Sequence, residues 1–286
     1  QLLVKGAQAL TPAGAQARDD AAAAERDSAL SRPGGASSTT IEQVRRTSEA
    51  VLDSRTCDCC QTDVALTPAG PIVAYRDRSA DEVRDIAVTA WRDGAWTAPV
   101  PVGEDGWRVE GCPVNGPALA ADGQDVVVAW YTGAGGGGRV RFALLTDGAM
   151  RFGEAADLES DRPLGRVDVV LLEGGDAVVS WLARREGGAA VVVRRVARDG
   201  GLGPVYDVGS ADAGRASGFP QLVNVGDDLY LSWTEYEDDV YHVRVTHLRY
   251  AAVEPSVASA GPSAGPSATG SAATGSAASG SAASGA

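Results

Sequence analysis

Histidine is nearly missing from this chain: two occur in 286 residues, His242 and His247. They stand five positions apart, so on a strand they point to opposite faces. Neither a Ser-His-Asp triad nor a histidine-rich metal site is expected. Basic charge is also short. Lys and Arg number 25 against 38 Asp and Glu, a formal net charge of −13. That balance argues against nucleic acid or an anionic membrane as the main partner, because both require a basic surface. No apolar run approaches the ~18 residues of a membrane span. No phosphate-binding glycine motif follows a strand and opens a helix. The run GAGGGG (133–138) lies between two strand-like segments and reads as a turn. No cofactor is expected.

Both ends lack core-forming residues. Residues 1–47 contain no aromatic side chain, and 251–286 are almost wholly Ser, Ala, Gly, Thr and Pro. Neither can bury enough apolar surface to offset its ordering entropy. The first reads as an irregular N-terminal extension. The second reads as a flexible tail, a linker or stalk open to glycosylation or to docking on a partner. All six tryptophans and seven tyrosines fall in 48–250, about 200 residues, enough for one sizeable core.

That middle region repeats. VALTPAGPIVAYRD (64–77), PALAADGQDVVVAWYT (117–132), DVVLLEGGDAVVSWLA (168–183) and PQLVNVGDDLYLSWTE (220–235) share one pattern. Each is a short apolar strand, a glycine turn and a second strand ending in an aromatic: Tyr75, Trp130, Trp181 and Trp233. The anchors are 55, 51 and 52 residues apart. A third strand follows each: RDIAVTAW, RVRFALL, AVVVRRV and YHVRVTHL. The first three repeats add an Asp-Gly turn (RDGAW, TDGAM, RDGGL) and a fourth strand: APVPV, EAADL and PVYDV. Alternation and turn chemistry predict four antiparallel strands per unit. A period near 50 residues points to an all-β fold, a β-propeller of four-stranded blades. The last repeat lacks its fourth strand, and EAVLD (49–53) is the candidate to complete it and close the ring. The ring has four blades on this count, or belongs to a six-bladed type.

In a propeller the inter-blade links and the loops between second and third strands share one face, here called upper. The links DSRTCDCCQTD, GEDGWRVEGCPVNG, ESDRPLGR and GSADAGRASG all carry arginine. Arg55, Arg76, Arg108, Arg166 and Arg215, with Tyr75 and Tyr131, are the candidate ligand-binding residues. Guanidinium groups offer bidentate contacts to carboxylate, sulfate or phosphate. In the competing structural role, each arginine pairs with a loop acid or caps backbone carbonyls. The acidic run EYEDD (235–239) reads as a solvated loop rather than a calcium site.

Three of the four cysteines, Cys57, Cys59 and Cys60, lie in the first inter-blade link and Cys112 in the next. Adjacent links meet on the upper face, so one bridge is expected between Cys112 and one of the trio. The remaining two pair locally, most easily Cys57 with Cys60. Thiolate binding of Cu(I) or zinc and a redox role are the alternatives. The cysteines, the few lysines and the Ser/Ala/Gly tail suit an exported protein of the periplasm, cell surface or extracellular space.

RTCDCCQTDVAL, VAYRDRS, GWRVEGCPVNGPALA, PLGRVDVVLL and RASGFPQL, in that order, resemble bacterial exported sialidase-like, or BNR-repeat-like, β-propellers. Sialidases are six-bladed. They hold a substrate carboxylate with an arginine triad and use a tyrosine nucleophile paired with an acid, plus an aspartic general acid. The resemblance implies Tyr236, Glu235 and Asp77 for those roles if the chain is an enzyme. The Arg-Ile-Pro motif of sialidases is absent, and their Asp-box turn survives only in traces such as RDGAW (92–96). Fold analogy does not establish activity. The expectation is therefore a non-catalytic binding or assembly module. It recognises an anionic glycan or a partner protein on the upper face, within a larger cell-surface or periplasmic assembly. A sialidase-type hydrolase and a copper-handling protein are the alternatives.

Overall fold

The computed structural model describes residues 48–145, 150–214 and 217–249. The N-terminal extension, the tail and most of the TDGAM turn lie outside them. The chain divides into two units, Gln1–Ala50 and Val51–Ala286. Of the first, residues 48–50 are described; they are exposed and without regular structure. The second carries all the described β-structure.

Among the described residues, sixteen strands form four antiparallel sheets, here called blades. Blade 1 contains β1 (Asp63–Thr67), β2 (Gly70–Arg76), β3 (Ile86–Arg92), β4 (Ala95–Trp96) and β5 (Val100–Gly103). Blade 2 contains β6 (Ala118–Asp122), β7 (Asp125–Thr132), β8 (Arg139–Leu145) and β9 (Ala156–Glu159). Blade 3 contains β10 (Pro163–Leu171), β11 (Ala177–Arg185), β12 (Gly188–Val196) and β13 (Leu202–Ala211). Blade 4 contains β14 (Gln221–Val225), β15 (Asp228–Glu237) and β16 (Val240–Arg249). The glycine run 133–138 is the loop between β7 and β8, with one 3-10 turn at Ala134–Gly136. The first strands of successive blades, β1, β6, β10 and β14, adjoin one another. They line the inside of the arc.

Alternation on each strand builds the stack. Val127 and Ala129 enter the apolar layer shared with blade 3, while Val126, Val128 and Trp130 enter the layer shared with blade 1. Likewise Val179 and Trp181 face blade 2, and Val178 and Leu182 face blade 4. Central blades bury both faces, so their second strands read as unbroken apolar runs. Each tryptophan anchor packs back onto the preceding blade. Trp130 lies over Gly103, where a Cβ would sit 2.7 Å from its ring; Trp233 lies over Gly209, where the gap is 2.2 Å.

Blade 4 breaks the pattern. Leu229, Leu231 and Trp233 face blade 3, while Val223, Val225, Tyr230, Tyr241, Val243 and Val245 are exposed on the other face. No apolar cluster among the described residues joins blade 4 to blade 1. The expected closing strand is not one: EAVLD (49–53) forms no strand, and Val51 is 81% exposed. The cause is local. Asp53 accepts hydrogen bonds from the Arg55 amide and, at 2.9 Å, from the Tyr75 hydroxyl. It holds the segment to blade 1, and among the described residues blade 4 has three strands with β16 at its edge.

Candidate functional site

The upper face is tied together by the loops that the repeats place there. Thr56 bridges to Asp77, and the Cys57 amide donates to the Arg76 carbonyl at 2.9 Å. The first cysteine loop therefore runs beside the end of β2. Gln61 then meets the next link: its Oε1 accepts from the Gly116 amide at 2.8 Å. A Cβ at Gly116 would stand 2.0 Å from the Gln61 carbonyl oxygen. Disulfides Cys57–Cys60 and Cys59–Cys112 complete the join, the arrangement expected from the loop order. All four cysteines are paired.

The candidate arginines do different jobs. Arg76 is 1% exposed. It donates to the carbonyls of Asn115 (2.7 Å), Arg84 (2.5 Å) and Tyr131 (2.6 Å) and lies 4.9 Å from the Trp107 ring centroid. Burial lowers its pKa to about 10. It locks blade 1 to blade 2 and offers a ligand nothing. Tyr75 is buried on Asp53, and burial raises its pKa. Half-buried Tyr131 meets Trp107 edge-on, and burial raises its pKa as well. Arg55 is half exposed and lies 3.6 Å from Glu82, which also binds Arg78 and Arg84. Arg108 is exposed beside the Val83 bridge. Arg166 donates to Ser217 Oγ and to the Gly214 carbonyl, and lies 6.0 Å from the Phe219 ring centroid. Arg215 lies outside the described residues.

The three residues implied by sialidase chemistry are not assembled. Glu235 and Tyr236 are neighbours on β15 and point to opposite faces. Glu235 accepts from Ser210 and Arg244, and the Tyr236 hydroxyl donates to Asp239 at 3.0 Å. The hydrogen bond to Asp239 raises the Tyr236 pKa, away from what a nucleophile needs. Asp77 stands at the end of β2, bonded to the Arg78 amide; burial raises its pKa. His242 sits opposite Glu235, and His247 stacks on Tyr230 at 4.8 Å.

A different set converges on the inner strands. A pit of about 290 Å³ is lined by Gln61, Asp63, Ala118, Asp168, Phe219 and Gln221, with Thr62, Pro117 and Val167. Asp63, Ala118, Asp168 and Gln221 are equivalent positions of the four blades. Their strand partners are Ala74, Ala129, Ser180 and Ser232, in each case the residue before the aromatic anchor. Asp63 accepts from the Val64 amide at 2.8 Å and from Leu119 of blade 2 at 2.7 Å. Asp168 repeats this with Val169 (2.8 Å) and Leu222 of blade 4 (2.6 Å). Burial is the main cause that raises both carboxyl pKa values, Asp168 from 3.8 to about 6, where the Asp63 charge adds to the effect. Each carboxylate has roughly four acceptor sites and gives two to backbone amides, which leaves capacity towards the pit. Asn115 steadies the rim: its Oδ1 accepts from the Arg166 amide at 2.8 Å and its Nδ2 donates to the Leu164 carbonyl at 3.3 Å. These acids and Asn115 escape a search for arginine-rich loops. The signal for the acids is positional: the residue paired with the one before each aromatic.

No protein-family model matches the chain, and no curated protein matches it in sequence. Solved structures to which the chain bears some likeness include a protein of unknown function from Dyadobacter fermentans, with a TM-score of 0.49, 16% identity and coverage of 66% of this chain and 52% of that one. The Hadza microbial sialidase Hz136 has a TM-score of 0.43 at 15% identity, covering 66% and 45%. A xylan β-1,4-xylosidase from Bacillus halodurans has 0.41 at 12% identity, covering 66% and 40%. The chain spans about half or less of each. No helix among the described residues is long and apolar enough to cross a membrane.

Proposed function

We propose that the chain is a glycan-binding propeller-type module whose ligand enters the pit at the start of the inner strands. One observation carries this reading: four equivalent positions, Asp63, Ala118, Asp168 and Gln221, converge on one concavity with Phe219 at its wall. Carboxylate acceptors, two amide side chains and an aromatic surface are the groups that a ring of hydroxyls and C–H bonds requires. The acidic floor favours a neutral sugar in the pit. An anionic substituent, or a partner protein, meets the rim at Arg166, Arg108 and Arg55. The two disulfides fit an exported setting, since such bonds persist in oxidising compartments. Calorimetry against a panel of neutral and sialylated oligosaccharides tests the reading. A neutral glycan should bind and lose at least tenfold in affinity in Asp63→Asn, with the fold kept. Absence of binding across the panel at millimolar ligand contradicts it.

A hydrolytic reading rests on the raised pKa of Asp168, about 6, which leaves the carboxyl largely protonated at mildly acidic pH beside a second acid. It predicts turnover of a chromogenic glycoside at mildly acidic pH that Asp168→Asn abolishes. Tyr236→Phe should leave any such turnover unchanged.

A further inference from the structure

The cysteine loops hold more than two separate bridges. Cys57 Sγ lies 3.7 Å from Cys59 Sγ, across the two disulfides. The sulfurs of Cys57, Cys59 and Cys60 all lie within 4.8 Å of one another, and Cys112 is joined to Cys59. Three sulfurs thus share one small volume, and the fourth, Cys112, is bonded to Cys59 at its edge. Arg84 closes it from below. It is 2% exposed, its Nη1 lies 3.4 Å from Cys57 Sγ, and its Nε has no hydrogen-bond partner.

A disulfide sulfur is a weak acceptor, so a buried guanidinium gains little from it. An anionic sulfur would satisfy it well. We propose that, once reduced, this cluster is a four-thiolate site for a tetrahedral thiophilic cation, of which Zn²⁺ is the type. Cys57 and Cys60 have the CxxC spacing of many zinc half-sites, and Cys59 with Cys112 supplies the other pair. With Zn–S bonds near 2.3 Å, a tetrahedral site sets its sulfurs about 3.8 Å apart, close to the 3.7 Å between Cys57 and Cys59. A tetrathiolate zinc centre carries two negative charges. Three guanidinium groups, Arg55, Arg78 and Arg84, share the single Glu82 carboxylate beside it, while Asp58 within the loop opposes them in part.

The chemistry balances with an external dithiol as reductant. Each disulfide takes two electrons and two protons, and the dithiol closes to its own disulfide. Zn²⁺ then forms four Zn–S bonds and releases four protons. Exposed Cys112 and half-exposed Cys60 give the dithiol its points of attack. The site would make the join between blades 1 and 2 redox-gated: a covalent staple when oxidised, a metal clip when reduced.

The test uses the full chain, reduced anaerobically with a trialkylphosphine and titrated with Co²⁺ as the probe. The expected result is one Co²⁺ per chain, with intense thiolate-to-cobalt charge transfer and the bands of tetrahedral cobalt, all displaced by Zn²⁺. Zn²⁺ should also raise the melting temperature of the reduced chain. Cys112→Ser should weaken cobalt binding at least tenfold. Uptake with only the pale spectrum of oxygen ligation, or affinity unchanged in both Cys57→Ser and Cys112→Ser, overturns the proposal.

Discussion

Arg76 shows how one side chain differs from its neighbours in role while matching them in sequence. It stands in a loop-end arginine series, yet among the described members it alone is walled in, with three carbonyls as partners. Removing it takes a buried charged donor away from all three carbonyls. Arg76→Met should cost about 3–5 kcal/mol, the range for breaking a buried polar network, measured by urea unfolding. Arg108→Met, at an exposed position, should stay within about 0.5 kcal/mol of the parent. Asp168 makes a prediction in pH. Its folded-state pKa, about 6, lies above its ordinary 3.8. The folded chain therefore binds this proton more tightly than the unfolded chain. The contribution to stability is fully present below about pH 3.8 and is lost as pH rises through 6. Asp168→Asn should flatten that part of the stability profile, read as the urea midpoint between pH 4 and pH 7.

At the scale of strands, most of the architecture is legible in the repeats. RVRFALL becomes β8 (Arg139–Leu145) without adjustment, and AVVVRRV lies within β12 (Gly188–Val196). Turn residues and alternation act locally, so they survive translation into structure. EAVLD does not, because its fate depends on which partner Asp53 finds, and that partner, Tyr75, is 22 residues away. Arg76 departs from the arginine series for the same reason: blade 2 buries its guanidinium and supplies the Asn115 and Tyr131 carbonyls that occupy it. The tryptophan-on-glycine contact is an element-level feature with its own test. Gly209→Ala places a methyl group against the Trp233 ring. It should destabilise by about 1–3 kcal/mol, as overpacking does, while Gly94→Ala, at an open turn, acts through its positive φ alone.

Across the whole molecule, three apolar layers join four blades, and the inner strands meet around one pit. The acids at the pit also latch blades together, Asp63 to Leu119 and Asp168 to Leu222. The proposed binding mode would couple ligand to blade geometry: a sugar hydroxyl on either carboxylate would shift electron density away from those amides. That coupling gives the most direct test of the pit as the binding site. Amide NMR spectra recorded while titrating a bound neutral oligosaccharide should move Val64, Leu119, Val169 and Leu222 together and leave the Tyr236–Val240 hairpin in place. Shifts confined to the hairpin, or to the exposed face of blade 4, would contradict it.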